Sequence, residues 1–308
     1  MPYYAYLSVS NACNARCVFC NVYEKKDSNN VIDVPSLLYD LKDLGGKYIH
    51  FIGGEPFIEK RIIEYFQLAT KLGFKSAATT NGYALTEDMI WELSQCSVNH
   101  LIVSLDSHLE EQHDFYRRKQ GLWRRATDAI IKMKTISPQV TIIVNHLLHK
   151  NNINQFVNFL KLKKEVPFDY VNLIFIKDYT PLSINQEEYE GFCSNIDKYS
   201  DIAQEYDVKF MFDIKQINNL VQEKYNYRCL FPYYCLYVDC TTSTVYPCDC
   251  TVHRDACEYS VGRLLEQSLD SLWEGNRMEV LRHRLLFGEM SCKAQCDCSN
   301  LYTNQLLN

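Results

Sequence analysis

The chain of 308 residues contains no run of about 18 apolar residues, which excludes an obvious membrane-spanning helix. Its opening stretch, MPYYAYLSVSNAC, lacks the charged-then-apolar layout of a signal peptide, so the expectation is a soluble, cytoplasmic protein without a membrane partner. Positive charge is not in surplus either. With 32 Lys and Arg against 38 Asp and Glu, the formal charge is −6, so no broad basic field exists to hold a phosphate backbone, and nucleic acid is not expected as a partner. Internal repeats and low-complexity tracts are both missing, which excludes solenoid, propeller and linker-like architectures. What the chain does have is cysteine, 14 in all. In a reducing compartment disulfides do not persist, so clustered cysteines point to metal.

The cysteines fall into two groups: Cys13, Cys17 and Cys20 near the start, then nine between Cys229 and Cys298, with only Cys96 and Cys193 between them. This suggests two metal sites on two structural units. Six β-rich stretches occupy the intervening chain, at 4–10, 48–53, 74–80, 100–106, 140–147 and 170–177. Each is followed by a helical pattern with apolar residues three and four apart, such as EKRIIEYFQLATKLG. Six βα units in succession predict an α/β fold with a parallel sheet, curled by right-handed crossovers into a partial (β/α)6 TIM-type barrel over residues 1–213. Residues 214–308 then form a second, cysteine-rich unit with a hairpin around YVDCTTSTVYPC and one amphipathic helix, SLDSLWEGNRMEVLRHRLL. In barrels of this kind the working residues sit on loops at the carboxyl ends of the strands.

Three cysteines spaced C-x3-C-x2-C are one donor short of a closed tetrahedral zinc site. In a four-iron cube the same three thiolates leave one iron without a protein ligand, where an outside molecule binds. Zinc with a distant fourth ligand is the alternative on spacing alone.

CNARCVFC, with Phe19 before the third cysteine, resembles the CxxxCxΦC signature of the radical S-adenosylmethionine (SAM) superfamily. GGEP, residues Gly53, Gly54, Glu55 and Pro56, is similar to the motif with which that family receives the methionine end of SAM, the acidic side chain facing its amino group. The resemblance further implies cofactor contacts from Asn81 in TTNG, from Ser104 and Asp106 in VSLDS, and from Arg117 to the SAM carboxylate, with Arg118 as the alternative. Each has a plain structural reading beside it: a turn for Asn81, a helix cap for Ser104 and Asp106, a charged helix surface for Arg117.

The second group resembles the twitch or SPASM appendage of a radical SAM subgroup. Cys229 and Cys248 fit its first two ligands, Gly262 to Trp273 its middle element, and Ser243 replaces its hairpin glycine, a change that a type I turn tolerates. The full closing run of cysteines is missing. The resemblance therefore implies the shorter twitch form, with one auxiliary 4Fe-4S cluster on Cys229, Cys248, Cys292 and Cys296, Cys298 being the alternative to Cys296. Cys235, Cys240, Cys250 and Cys257 are then surplus, as buried thiols, a hydrogen-atom donor or ligands of a further cluster with His253 nearby.

As the resemblance implies, the protein is a radical SAM enzyme, with a SAM-binding 4Fe-4S cluster, SAM, and an electron donor such as flavodoxin or ferredoxin. Its expected substrate is a ribosomally made peptide, crosslinked or epimerised. Dehydrogenation or epimerisation of a sugar or aminocyclitol is the alternative; no peptide-recognition domain is seen before the first strand, which points to a small molecule or to a separate recognition protein. A non-catalytic iron–sulfur or zinc scaffold is the reading from another class, and it gives GGEP nothing to do.

Overall fold

The computed structural model describes residues 2–25, 32–176, 181–217, 228–252, 256–287 and 289. Among the described residues ten strands form one sheet: β1 (Tyr4–Ser10), β2 (Tyr48–Gly53), β3 (Lys75–Thr80), β4 (Val98–Ser104), β5 (Thr141–Leu148), β6 (Tyr170–Phe175), β7 (Lys209–Phe210), β8 (Cys235–Asp239), β9 (Thr244–Tyr246) and β10 (Gly262–Arg263). Strands β1 to β7 are parallel and lie side by side in chain order, as successive βα units require. The intervening helices are α1 (Val34–Asp43), α2 (Ile62–Lys71), α3 (Glu87–Ser94), α4 (Glu110–Arg117), α5 (Leu122–Ile136), α6 (Phe156–Lys161), α7 (Gln186–Cys193) and α8 (Ile196–Glu205).

The helices start where the sequence offers caps. Asp33 accepts from the Ser36 amide ahead of α1, Thr86 from that of Met89 ahead of α3, and Asn185 forms a capping box with Glu188 ahead of α7. In α1 the buried residues are Val34, Leu37, Leu38 and Leu41, the spacing of one helical face.

Period-two alternation divides the sheet. Ala5, Leu7, Ile49, Phe51, Leu101 and Val103 are among the residues buried under the helices. Their neighbours on the opposite face, including Tyr4, Tyr6, His50, Thr79, Ile102, Asn145 and Asn172, surround a single cavity of about 860 Å3. A sheet that lines one cavity with six successive parallel strands has the inward curl expected of a partial barrel.

The C-terminal part is not set apart from this sheet. Strand β8 pairs in parallel with β1, Tyr4 opposite Cys235 and Ser8 opposite Asp239, so the sheet runs across the expected boundary at residue 213. β9 and β10 follow antiparallel, giving the expected hairpin. Two local expectations are corrected. Ser243 in the hairpin has φ 63°, so the left-handed geometry of the missing glycine is kept and the turn is not a simple type I. Ser268–Leu286 is not one helix but two, Leu269–Glu274 and Asn276–Leu286, broken at Gly275, where the backbone is extended.

Candidate functional site

The loop after β1 carries the first cysteines and is braced from three sides. From the end of β2, the Gly54 amide donates to the Ser10 carbonyl at 2.8 Å and the Glu55 amide to that of Ala12 at 2.8 Å. From the end of α4, the carbonyls of Arg117 and Tyr116 accept from the amides of Arg16 (3.2 Å) and Val18 (2.9 Å). From the end of β3, Asn81 Nδ2 donates to Asn14 Oδ1 at 2.8 Å and lies 3.8 Å from Cys13 Sγ. Contact this close requires glycine: Gly53 has φ 135°, and a Cβ on Gly54 would stand 2.6 Å from the Asn11 carbonyl oxygen and press on that of Ala12.

Cys13, Cys17 and Cys20 are thereby gathered closely enough that Cys20 adds to the rise at both of the others. Burial pushes Cys17 up to about 11, with Arg117 opposing and the other two cysteines adding to the rise. Cys13 is raised by the same burial, and by Glu55 and Cys20. Such thiols stay protonated at neutral pH unless a cation ionises them, which is the chemistry of a metal or cluster ligand. Among the described residues no three His, Cys, Asp or Glu side chains converge as a single-ion site. A cube, with a thiolate on each of three irons, does not need them to meet on one ion.

The other nominated residues sit around this loop in roles that the sequence did not reveal. Glu55 is fully buried. Its carboxylate accepts from Thr80 Oγ1 (2.6 Å), the Asn81 amide (2.7 Å) and the Phe57 amide (3.2 Å), so it ties the end of β2 to the end of β3. Burial raises it to about 7, against the pull of those three donors. Pro56 opens the buried turn that follows. Asp106 and Arg117, nominated as separate cofactor contacts, bind each other through two hydrogen bonds, Nε to Oδ2 at 2.7 Å and Nη2 to Oδ1 at 3.1 Å. Burial pushes Asp106 upward, but the guanidinium outweighs it and holds the carboxyl below its ordinary value. Arg117 also stacks 5.5 Å from the centre of the Phe19 ring, which ties the pair to the cysteine loop. Arg118 is exposed with φ 48° and stands outside this arrangement. Ser104 ends β4 half-buried, opposite Asn145.

Around Asp106 the structure adds a buried network that periodicity alone does not show. His113 Nδ1 accepts from the Asp106 amide at 3.1 Å, His146 Nδ1 pairs with the Leu105 carbonyl at 3.0 Å, and Asn152 donates to the Asp106 carbonyl at 2.9 Å. Burial drives His113 down to about 3 and His146 to about 4; His50, beneath the cavity, falls to about 3. Their contribution to stability is therefore complete above the ordinary imidazole value of about 6.5 and is lost as pH falls toward these lower ones. Glu55, raised, acts in the opposite sense between about 7 and its ordinary value. Between pH 6.5 and 5.5, with the unfolded imidazoles half protonated at the start, these three histidines against one glutamate leave a net loss of about 2 kcal/mol. Urea unfolding of the apoprotein at pH 6.5 and 5.5 is expected to show that fall, and restoring much of it in a His146→Gln variant would assign that share to the imidazole.

In the second cysteine group, Cys229 and Cys248 are buried close together, and Cys235 and Cys250 join them. Cys235 is raised well above its usual value by burial, then by Asp249, Cys250 and Cys229; Cys248 is hydrogen-bonded to the Cys250 side chain. Two cysteines set aside as surplus thus share the neighbourhood of the expected ligands. A single helical turn, Phe231–Tyr234, lies between Cys229 and Cys235. Cys240 is buried apart, with its sulfur 3.9 Å from the Val238 carbonyl. Cys292, Cys296, Cys298 and His253 lie outside the described residues, as does the side chain of Cys257.

A family model described as the Radical SAM superfamily matches residues 7–162. A GTP 3',8-cyclase of Clostridium botulinum is 29% identical over 210 residues, 65% of this chain and 64% of that protein, so the chain spans less than two thirds of that relative's length. In fold, the chain is similar to SuiB of Streptococcus suis bound to S-adenosylmethionine, with TM-score 0.71 and 14% identity over 96% of this chain and 72% of that one. It is similarly close to anSMEcpe with bound AdoMet, with TM-score 0.70 and 18% identity over 92% and 82% of the two chains. No described helix is long and apolar enough to cross a membrane.

Proposed function

Because the chain belongs to the radical SAM superfamily, we propose that it is an enzyme that cleaves SAM reductively and removes hydrogen from an unactivated C–H bond of a peptide held in the cavity of the curled sheet. Family membership implies a 4Fe-4S cluster and SAM. When bound, they supply an electron from the cluster and a carbon-centred radical from SAM. The observation that carries the proposal is the braced loop of Cys13, Cys17 and Cys20, which by its own sequence offers a cube three thiols.

In this reading the three cysteines hold the cluster, and Arg117, anchored by Asp106, balances thiolate charge at Cys17. Gly53, which borders the cavity, is proposed to receive the methionine end of SAM, while Gly54 is taken up by its contact with the loop. Glu55 acts one step back, by fixing the Asn81 amide and the turn at Pro56. Asn81 and Ser104 remain the polar contacts proposed for the cofactor. Cys229, Cys235 and Cys248 are proposed to hold an auxiliary 4Fe-4S cluster, with the fourth ligand from Cys250 or from Cys292, Cys296 or Cys298. Gly53 and Asn11 line the cavity together with aromatic and aliphatic walls, surroundings that would keep a radical on its intended hydrogen. The donor is proposed to be a flavodoxin or ferredoxin of the cytoplasm.

The test is anaerobic reconstitution with iron counting and assay of 5′-deoxyadenosine under dithionite. About eight irons per chain with deoxyadenosine formed supports both clusters; about four with none formed overturns the enzyme and the auxiliary cluster together.

A further inference from the structure

Few of the side chains facing the cavity are charged, and the balance of those that are is negative. Among the described lining residues the charged side chains are Lys25, Asp239 and Asp249. The two imidazoles in the wall add no positive charge at neutral pH: burial, with His100 beside it, takes His50 down to about 3, and burial lowers His100 as well. A nucleoside triphosphate brings several negative charges, which proteins answer with arginine, lysine, metal or helix N-termini. These walls are built for the opposite charge.

One corner is preorganised for it. Asp239 ends β8, and its Oδ1 accepts from Thr241 Oγ1 (2.7 Å), the Thr241 amide (3.0 Å) and the Thr242 amide (3.3 Å), so the carboxylate is clamped by one oxygen. Thr241 is itself held by Asn11 Nδ2 at 2.8 Å. Tyr237, two residues earlier on the same face of β8, pairs in register with Tyr6, and Asp239 pairs with Ser8. The Tyr6 ring lies 4.9 Å from that of Tyr4 and 5.0 Å from that of His50, and Tyr4 stacks on Tyr48 at 5.9 Å. A fixed carboxylate beside a continuous aromatic surface, within low-dielectric walls, selects an organic cation over a neutral group of the same shape.

We propose that Asp239, with the Tyr6 and Tyr237 rings beside it, binds a primary ammonium or guanidinium group of the substrate, and that the chamber rejects nucleoside triphosphates. The proposal rests on the radical SAM reading for what happens to the bound molecule, but not for the binding itself. It separates this chain from the activity in the name of its GTP 3',8-cyclase relatives.

The test is calorimetric titration of the reconstituted, SAM-loaded protein with N-acetyl-lysine methylamide, its norleucine counterpart and GTP. The lysine derivative is expected to bind about tenfold more tightly than the norleucine one, and more tightly than GTP. Asp239→Asn is expected to erase the preference, and Asp239→Glu to keep part of it. Equal binding of the two amino acid derivatives, tighter binding of GTP, or a preference that survives Asp239→Asn would each overturn the proposal. A protein that forms no deoxyadenosine yet shows the preference loses the catalytic reading and keeps this one. SAM cleavage without the preference does the reverse.

Discussion

Cys17→Ala is expected to lower 5′-deoxyadenosine formation by three orders of magnitude or more, about 4 kcal/mol in barrier terms, and to remove about four irons per chain. Cys17 is the most buried thiol of the triplet and the one that senses both of its partners and Arg117. Cys96→Ala is the matched control. That thiol sits half-buried after α3, with its sulfur 3.4 Å from the Glu92 carbonyl, and its loss is expected to change neither quantity. Iron retained at the wild-type level in Cys17→Ala would mean that the triplet is not the cluster site.

Gly54→Ala is expected to destabilise the chain by about 1 to 3 kcal/mol and to cost about a hundredfold in SAM cleavage. A methyl group here meets backbone, the carbonyl oxygens of Asn11 and Ala12, which no side-chain rotation relieves. To make room, the segment immediately before Cys13 must move away from β2, breaking the bonds from the Gly54 and Glu55 amides that set the loop. Thermal unfolding and iron content measured together check this. Gly121→Ala is a comparison: a Cβ there meets nothing within 4 Å, so only its φ of 73° is at issue, and iron binding is expected to be retained. Equal iron loss in both variants would show that general destabilisation, rather than the loop contact, is responsible.

Much of the fold was legible because its periodicities are local. The first two strands lie where alternation and flanking turns put them, at Tyr4–Ser10 and Tyr48–Gly53, and the others differ by one or two residues at one or both ends. The helix break at Gly275 was missed because each side of it carries its own helical spacing, Leu269, Leu272 and Trp273 before it and Met278, Leu281 and Leu285 after it, while the backbone between them is extended. Likewise, nothing in the spacing of CLYVD distinguishes a strand of a separate appendage from one that adds to the edge of β1.

By itself the sequence determined the cysteine spacing, the order of βα units, and the family, because thiolate chemistry and crossover handedness act over a few residues at a time. Only the tertiary structure decided what the side chains do to one another. Glu55 was expected to face a cofactor but spends its oxygens on Thr80, Asn81 and Phe57; Asp106 and Arg117 were two candidates and are one ion pair; Cys235 and Cys250 were surplus and stand with Cys229 and Cys248. The physical reason is the same in each case. A buried polar group takes the nearest partner that folding provides, and that partner comes from a strand or helix whose distance along the chain gives no sign of its distance in space.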